Sequence, residues 1–454
     1  MPNDLPVAQG APPAGGLKPL SERILPPEFY DSFITKRSKE RIEDPIRSRL
    51  QLEDRPGTIS MLAGKPNPET YPMTSLQFTL RDPVTNQEVP IALTEIELER
   101  SLQYSGSKGI PEFLEWLVGL QEFSHGRKPG EGWDLSFGAG SSDLIHKAIL
   151  ALLEEGDSAI IESPVYAGVF PVLHEAKCDL IELSGDENGI DTVALRKTLE
   201  NWPKNKRKPK LLYTIPFGCN PTGVTSTIER RLEVLGLARE HNFLIFEDDP
   251  YYYLYFGSAP RPPSYFALEV DQPEVGRVVR LDSLSKVLSA GMRIGFLSAP
   301  QVISDAVLLH TMGSNLQPPT FTQVISWKLL STWGYAAYQQ HVYRVADFYR
   351  TKRDEFARLM DKHLTGLAEW TIPEAGMFFW FKLLLDGGDE GDSEALIRKE
   401  ALEGGILALP GTVFLPSGGK TAYVRASFSL LPETMVDEGL RRLRVVLLKA
   451  RGEA

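Results

Sequence analysis

The sequence predicts an α/β protein with a large body built on a mainly parallel sheet and a smaller α+β body at the C-terminal end. Three observations carry this. From about residue 90, short apolar runs that stop at polar turns alternate with stretches of helical period. The span from Tyr335 to Leu364 reads as one long helix joining two lobes. Beyond it, Glu369 to Leu385 is strand-rich and α+β sequence continues to the end. The divisions expected are residues 1–85 as an N-terminal arm with a share of the small domain, 86–330 as the large domain, and 331–454 as the small C-terminal domain.

Residues 1–17 are rich in Pro, Gly and Ala and carry no periodicity, which reads as a mobile arm. Ser32 to Arg55 holds Lys36, Arg37, Lys39 and Arg41 against Glu40, Glu43 and Asp44, a solvated helix face of mixed charge. Ser136-Phe137 closes a strand, Gly138-Ala139-Gly140 turns, and Ser141 opens a helix. That helix aligns Leu144, Ile145, Ala148, Ile149 and Leu152, and Gly156 stops it. Further strands are expected at Ala159–Glu162, Leu211–Ile215, Phe243–Phe246 and Val278–Leu281. A parallel sheet places its ligand outside the carboxyl ends of such strands.

Composition limits function more than it names it. The chain has 454 residues, 49 Lys plus Arg and 60 Asp plus Glu, for a net charge of −11. Such a surface repels a phosphate backbone, so nucleic acid is not an expected partner. Two cysteines, Cys178 and Cys219, exclude a disulfide framework and fit a reducing compartment. No window approaches the roughly 20 apolar residues of a membrane span. Met1-Pro2-Asn3-Asp4 opens no basic-then-apolar leader, so a cytoplasmic protein without membrane contact is expected.

Several familiar motifs fail on inspection. His125, His146, His174, His241, His310, His341 and His363 are not paired at metal-ligand spacing, so no metal site is expected. Gly419-Lys420-Thr421 resembles the end of a phosphate-binding loop, but Phe414 stands at its first glycine position. Gly138-Ala139-Gly140 opens a helix as a dinucleotide site would, yet Asp143 occupies the third glycine position.

What survives gathers at the strand ends. Ser283-Leu284-Ser285-Lys286 follows one strand, with Arg293 close behind. Asn220-Pro221-Thr222-Gly223 follows another. Asp248 lies just past the Phe243–Phe246 strand, with Tyr251 three residues on. Tyr166 follows Ala159–Glu162, and Gly140-Ser141-Ser142 opens a helix N-terminus suited to phosphate. Each motif alone is an ordinary turn or cap; a parallel sheet brings all of them to one edge.

This assembly resembles the pyridoxal-phosphate-dependent family of aspartate-aminotransferase fold, also called fold type I. Within that family the chain resembles the kynurenine/2-aminoadipate and fungal aromatic-amino-acid aminotransferases, from about Asp44 to Leu447. Its landmarks are Leu102-Gln103-Tyr104-Ser105, Glu247-Asp248-Asp249-Pro250-Tyr251-Tyr252, Ser283-Leu284-Ser285-Lys286, Pro373-Glu374-Ala375-Gly376-Met377-Phe378 and Val424-Arg425-Ala426-Ser427-Phe428-Ser429.

The resemblance implies pyridoxal 5'-phosphate (PLP) as cofactor and a transamination in two half-reactions. The amino donor would be an aromatic amino acid, kynurenine or 2-aminoadipate, and the acceptor a 2-oxo acid such as 2-oxoglutarate. Lys286 matches the Schiff-base lysine that also moves the substrate proton. Asp248 matches the partner of the ring nitrogen. Asn220 and Tyr251 match the hydrogen-bonding pair at the ring oxygen. Arg293, Ser283 and Ser285, with Ser141 and Ser142, match the phosphate cup. Tyr166 matches the ring stacked on the cofactor, and Tyr104 a tyrosine that reaches the phosphate of a neighbouring subunit. A homodimer with shared active sites follows from that match.

Arg425 matches the clamp on the substrate carboxylate, with Asn220 beside it. Gly64, in Ala63-Gly64-Lys65-Pro66-Asn67, and the Arg47 region match the substrate entrance. Two positions depart from the family: Ser142 stands where glutamine is common, and Lys65 where a second glycine is usual. Lys65 either faces solvent or attracts an acidic substrate side chain. A PLP-dependent lyase or decarboxylase would share the same cofactor residues. A transcription regulator with an aminotransferase-like domain would need a winged-helix domain ahead of the matched region, where about 45 residues stand.

Overall fold

The computed structural model describes residues 16–50, 52–53, 55–385 and 391–453. Residues 1–15 of the Pro-rich arm and the acidic stretch 386–390 lie outside them.

An eight-stranded sheet forms the larger body. Two strands precede it, β1 (Gln77–Arg81) and β2 (Glu88–Ala92), paired as an antiparallel hairpin. The sheet itself comprises β3 (Asp134–Ala139), β4 (Ser158–Ser163), β5 (Asp179–Asp186), β6 (Gly189–Ile190), β7 (Leu211–Thr214), β8 (Leu244–Asp249), β9 (Val278–Ser283) and β10 (Ile294–Ala299). Their spatial order is β3-β10-β9-β8-β7-β4-β5-β6. Strand β10 runs against both its neighbours and β6 runs against β5; the pairs β4–β5, β4–β7, β7–β8 and β8–β9 are parallel. Strands β7 to β10 are buried along their whole length, which explains their continuous apolar runs.

The helix at Ser141–Leu152 buries Leu144, Ile145, Ala148, Ile149 and Leu152, the face its spacing predicts. Gly156 lies four residues beyond its end at φ +86, in the turn leading to β4. The long helix is two: Thr320–Leu364 breaks at Gly334 (φ 67, ψ 175), and residues beyond it continue to Leu364 as expected. Ser32–Arg55 forms no single helix; two one-turn pieces, Lys36–Lys39 and Arg47–Leu50, flank Pro45, which denies the chain an amide donor.

The smaller sheet comprises β11 (Ala368–Trp370), β12 (Phe378–Leu383), β13 (Leu409–Pro410) and β14 (Tyr423–Ser427), ordered β11-β12-β14-β13 and antiparallel. Phe356, Phe379, Phe381, Val424, Leu440 and Leu447 share its core with the Glu433–Ala450 helix. The segment before β1 packs on the larger body, where Tyr30 and Phe33 are buried and the Tyr30 hydroxyl donates to the Gly276 carbonyl at 2.7 Å. No helix among the described residues is long and apolar enough to cross a membrane.

Candidate active site

The turns after β3, β4, β7, β8 and β9 surround one cavity of about 250 Å³. Its wall contains Ser141, Ser142, Tyr166, Asn220, Asp248, Tyr251, Ser283, Ser285, Lys286, Arg293 and Arg425, eleven of the side chains that the sequence nominates. They come from widely spaced turns because a parallel sheet delivers every forward strand to the same edge.

Asp248 is a strand residue rather than a loop residue, since β8 runs on through Asp249. Alternation along β8 sends Asp248 to the cavity face and Glu247 and Asp249 to the other. There the buried Arg280 guanidinium pairs with Asp249 at 2.8 Å, Asp282 at 2.7 Å and Glu247 at 3.2 Å. That cation lets the acidic run Glu247-Asp248-Asp249 form a buried strand.

On the cavity face, Tyr213 Oη donates to Asp248 Oδ2 at 2.5 Å, while Oδ1 is buried without a partner. Burial pushes the Asp248 carboxyl up to about 6, offset in part by the Tyr213 hydrogen bond.

The opposite wall is cationic. Arg293 donates weakly to the Ala139 carbonyl (3.3 Å), the Ala290 carbonyl (3.2 Å) and Ser285 Oγ (3.4 Å). Gly140 adopts φ +87, and a Cβ there would collide with the Arg293 guanidinium. A Cβ on Gly295 would strike the Gly140–Ser141 backbone, so both glycines keep this turn against the sheet. Lys286 is partly buried; desolvation and then the Arg293 charge lower its pKa, favouring a neutral, nucleophilic amine.

Arg425 reaches in from β14. Its Nη1 donates to Asn220 Oδ1 at 2.8 Å, its charge lies 4.1 Å from the Phe378 ring centroid and 4.9 Å from that of Phe414, and its Nε is buried without a partner. No carboxylate pairs with Arg425 among the described residues. The guanidinium is positioned and unneutralised, as a carboxylate receptor must be.

Tyr104, Arg47 and Gly64 are not part of this cavity. Tyr104 is 54% exposed, and Arg47 lies 6.0 Å from its ring. Arg47 donates to the Ser105 carbonyl at 2.5 Å and to Gln317 Oε1 at 2.7 Å. Gln103 donates to the Pro66 carbonyl at 2.9 Å, tying the Gly64 segment to the same surface. Lys65 lies outside the cavity, on the exposed surface, where it pairs with Glu53 at 2.5 Å. Arg47 and Tyr104 are therefore neighbours, and Pro66 ties the loop that carries Gly64 to the residue before Tyr104.

The donor set fits a flat phosphorylated heterocycle. The unpaired buried carboxylate oxygen would meet a ring nitrogen, the guanidinium with serine hydroxyls and a helix N-terminus would hold a phosphate, and the Lys286 amine lines the same cavity. An aminotransferase class I and II family model matches residues 85–443. The chain belongs to this aminotransferase family.

The aminotransferase is 42% identical over 400 residues to "Aminotransferase tdiD" of Emericella nidulans, covering 88% of this chain and 91% of that one. It is 38% identical over 429 residues to the mitochondrial kynurenine/alpha-aminoadipate aminotransferase of Rattus norvegicus, covering 91% and 98%. Among solved structures, aminotransferase Aro8 of Candida albicans superposes with a TM-score of 0.83 at 24% identity, over 96% of this chain and 99% of that one, and shows the fold.

Three residues of the aminotransferase's site, Phe378, Phe414 and Tyr213, carry no role in the sequence reading. Phe378 lies in a quoted landmark, but only the tertiary contact makes it the platform of Arg425. Tyr213 sits in β7 two residues before Ile215, and pairs in register with Phe246. Alternation along both strands puts Tyr213 on the face of Asp248, a signal present in the sequence.

Proposed function

We propose that this enzyme uses PLP to move the amino group of an aromatic amino acid, kynurenine or 2-aminoadipate onto a 2-oxo acid such as 2-oxoglutarate. The observation that carries it is Asp248 Oδ1, buried and unpaired in one cavity with Lys286 and Arg425. When bound, PLP supplies an electron sink for the pair left when the substrate Cα loses its proton.

The chain's residues divide the work. Asp248 holds the ring nitrogen protonated, with Tyr213 fixing its other oxygen. Arg293, Ser283, Ser285, Ser141 and Ser142 hold the phosphate, Tyr166 covers the ring, and Tyr251 and Asn220 hold its oxygen. Asn220 Oδ1 is already used by Arg425, which leaves Nδ2 to donate. Arg425 clamps the substrate carboxylate and so orients the Cα–H bond. Lys286 takes that proton and returns it. Closure of Phe378 and Phe414 around the Arg425 charge excludes water there.

Tyr104 is exposed outside the cavity, with Arg47 over its ring, which suits a homodimer in which Tyr104 would serve the partner's phosphate. The eight-stranded sheet falls within 134–299 and the four-stranded sheet within 368–427, which supports a large domain at 86–330, a small one at 331–454 and an arm over 1–85. Two free cysteines suit a cytoplasmic setting.

The test is a half-reaction screen on purified holoenzyme. The visible band of the lysine-bound cofactor disappears with amino donors of this class, and Lys286→Ala abolishes the band. An oxo acid formed together with a new amino acid supports transamination; carbon dioxide or ammonia release alone overturns it in favour of a decarboxylase or lyase.

A further inference from the structure

A second cavity, of about 260 Å³, is walled by residues that do not line the active site. It lies between the loop after β8 and the long helix, with Tyr252, Tyr253, Tyr255, Tyr338 and Tyr343 in its wall. Tyr252 stands edge-on to Tyr253 at 5.1 Å, and Tyr253 edge-on to Tyr338 at 5.6 Å, so the deep side of the wall is a packed aromatic cluster against which a further ring can lie.

The charge in this wall has one sign. Arg261 is its lone charged residue. The guanidinium carbon lies 3.9 Å from the Tyr252 ring centroid, and Nη1 donates to the Tyr252 carbonyl at 3.2 Å. No carboxylate pairs with Arg261 among the described residues. Tyr338 is 1% exposed and its hydroxyl has no hydrogen-bond partner. Leaving a buried hydroxyl unsatisfied is unfavourable, so it marks a place where an acceptor is missing.

We infer that this pocket binds a small aromatic monocarboxylate, its ring among the tyrosines and its carboxylate on Arg261, with Tyr338 Oη as a second donor. The volume lies at the lower edge of small-molecule sites and suits a ligand with one ring system. This inference does not rest on the proposed transamination.

Phenylacetate is a suitable probe, since it has neither an amino nor an oxo group to transfer. Titration calorimetry on the holoenzyme carrying Arg425→Lys weakens the competing carboxylate clamp of the active site. Saturable binding of phenylacetate is expected to persist there. Arg261→Met added to that variant weakens it by at least about tenfold, and Tyr338→Phe, which keeps shape and packing, by about three- to tenfold, the range for one lost hydrogen bond. Arg261→Lys, which keeps the charge, retains measurable binding and shows that the loss in Arg261→Met is not misfolding. No saturable binding in the Arg425→Lys enzyme, or equal affinity after Arg261→Met, would overturn the assignment.

Discussion

The Tyr213 hydroxyl donates a 2.5 Å hydrogen bond to one oxygen of Asp248 and leaves the other, equally buried, without a partner. One carboxylate is thereby anchored on a neighbouring strand and open toward the cavity.

Removing the anchor changes the charge state before it changes the shape. Tyr213→Phe deletes a hydrogen bond that favours ionised Asp248, so the carboxyl pKa rises further above about 6. A hydrogen bond to a charged group contributes about 1.5–3 kcal/mol, so turnover is expected to fall by roughly 10- to 100-fold. The decisive reading is the acid limb of the pH–kcat profile, which moves to higher pH; a loss of kcat with an unmoved limb contradicts this role.

Asp248 should be costly to the cofactor-free protein. Its pKa is raised from 3.8 to about 6, so the folded state holds the proton more tightly than the unfolded chain does. Stability from this group is fully present below pH 3.8 and is lost as pH rises through about 6. Asp248→Asn, which still accepts from Tyr213, is expected to stabilise the apoprotein at pH 7 by up to about 3 kcal/mol. Thermal melts of both apoproteins from pH 4 to 8 should converge at the acid end and separate above it. In the presence of PLP the order should reverse, because the carboxylate then has a cationic partner.

Arg425→Lys keeps the charge and loses the planar fork. The Asn220 contact and the cavity-facing donors cannot both be met by one ammonium. We expect kcat/KM for the amino donor to fall roughly 10- to 100-fold. The cofactor's visible spectrum should be unchanged if Arg425 serves the substrate as proposed; a lost cofactor band would instead place it in the cofactor's own shell.

Gly140→Ala probes the phosphate turn. At φ +87 an alanine is strained, and its methyl group displaces the Arg293 guanidinium. Retention of PLP through dialysis should drop by an order of magnitude or more. Gly156→Ala, at φ +86 but in open space, should leave PLP retention unchanged. Equal losses in the two variants would mean that backbone strain, and not the Arg293 contact, is responsible.

Most strands and the site's turns are legible because buried parallel strands are apolar throughout and end at polar residues. The run Glu247-Asp248-Asp249 broke that rule, and the sequence reading stopped β8 at Phe246. Three acidic residues in a row resemble a loop until Arg280, on the next strand, neutralises the pair on the far face. The helix expected over 32–55 failed for the opposite reason: a mixed-charge face says nothing about the break at Pro45.

What the sequence determined by itself is the alternation of strand and helix and the chemistry delivered to each forward strand end. Those follow from local periodicity and from side-chain type, which act over a few residues. What only tertiary structure decided is which groups meet. Arg425 reaches Asn220 across 205 residues of chain, while Tyr104 and Arg47 meet outside the cavity altogether. Contacts at such separations depend on how layers pack and where burial leaves a charge unpaired, and no local pattern encodes that.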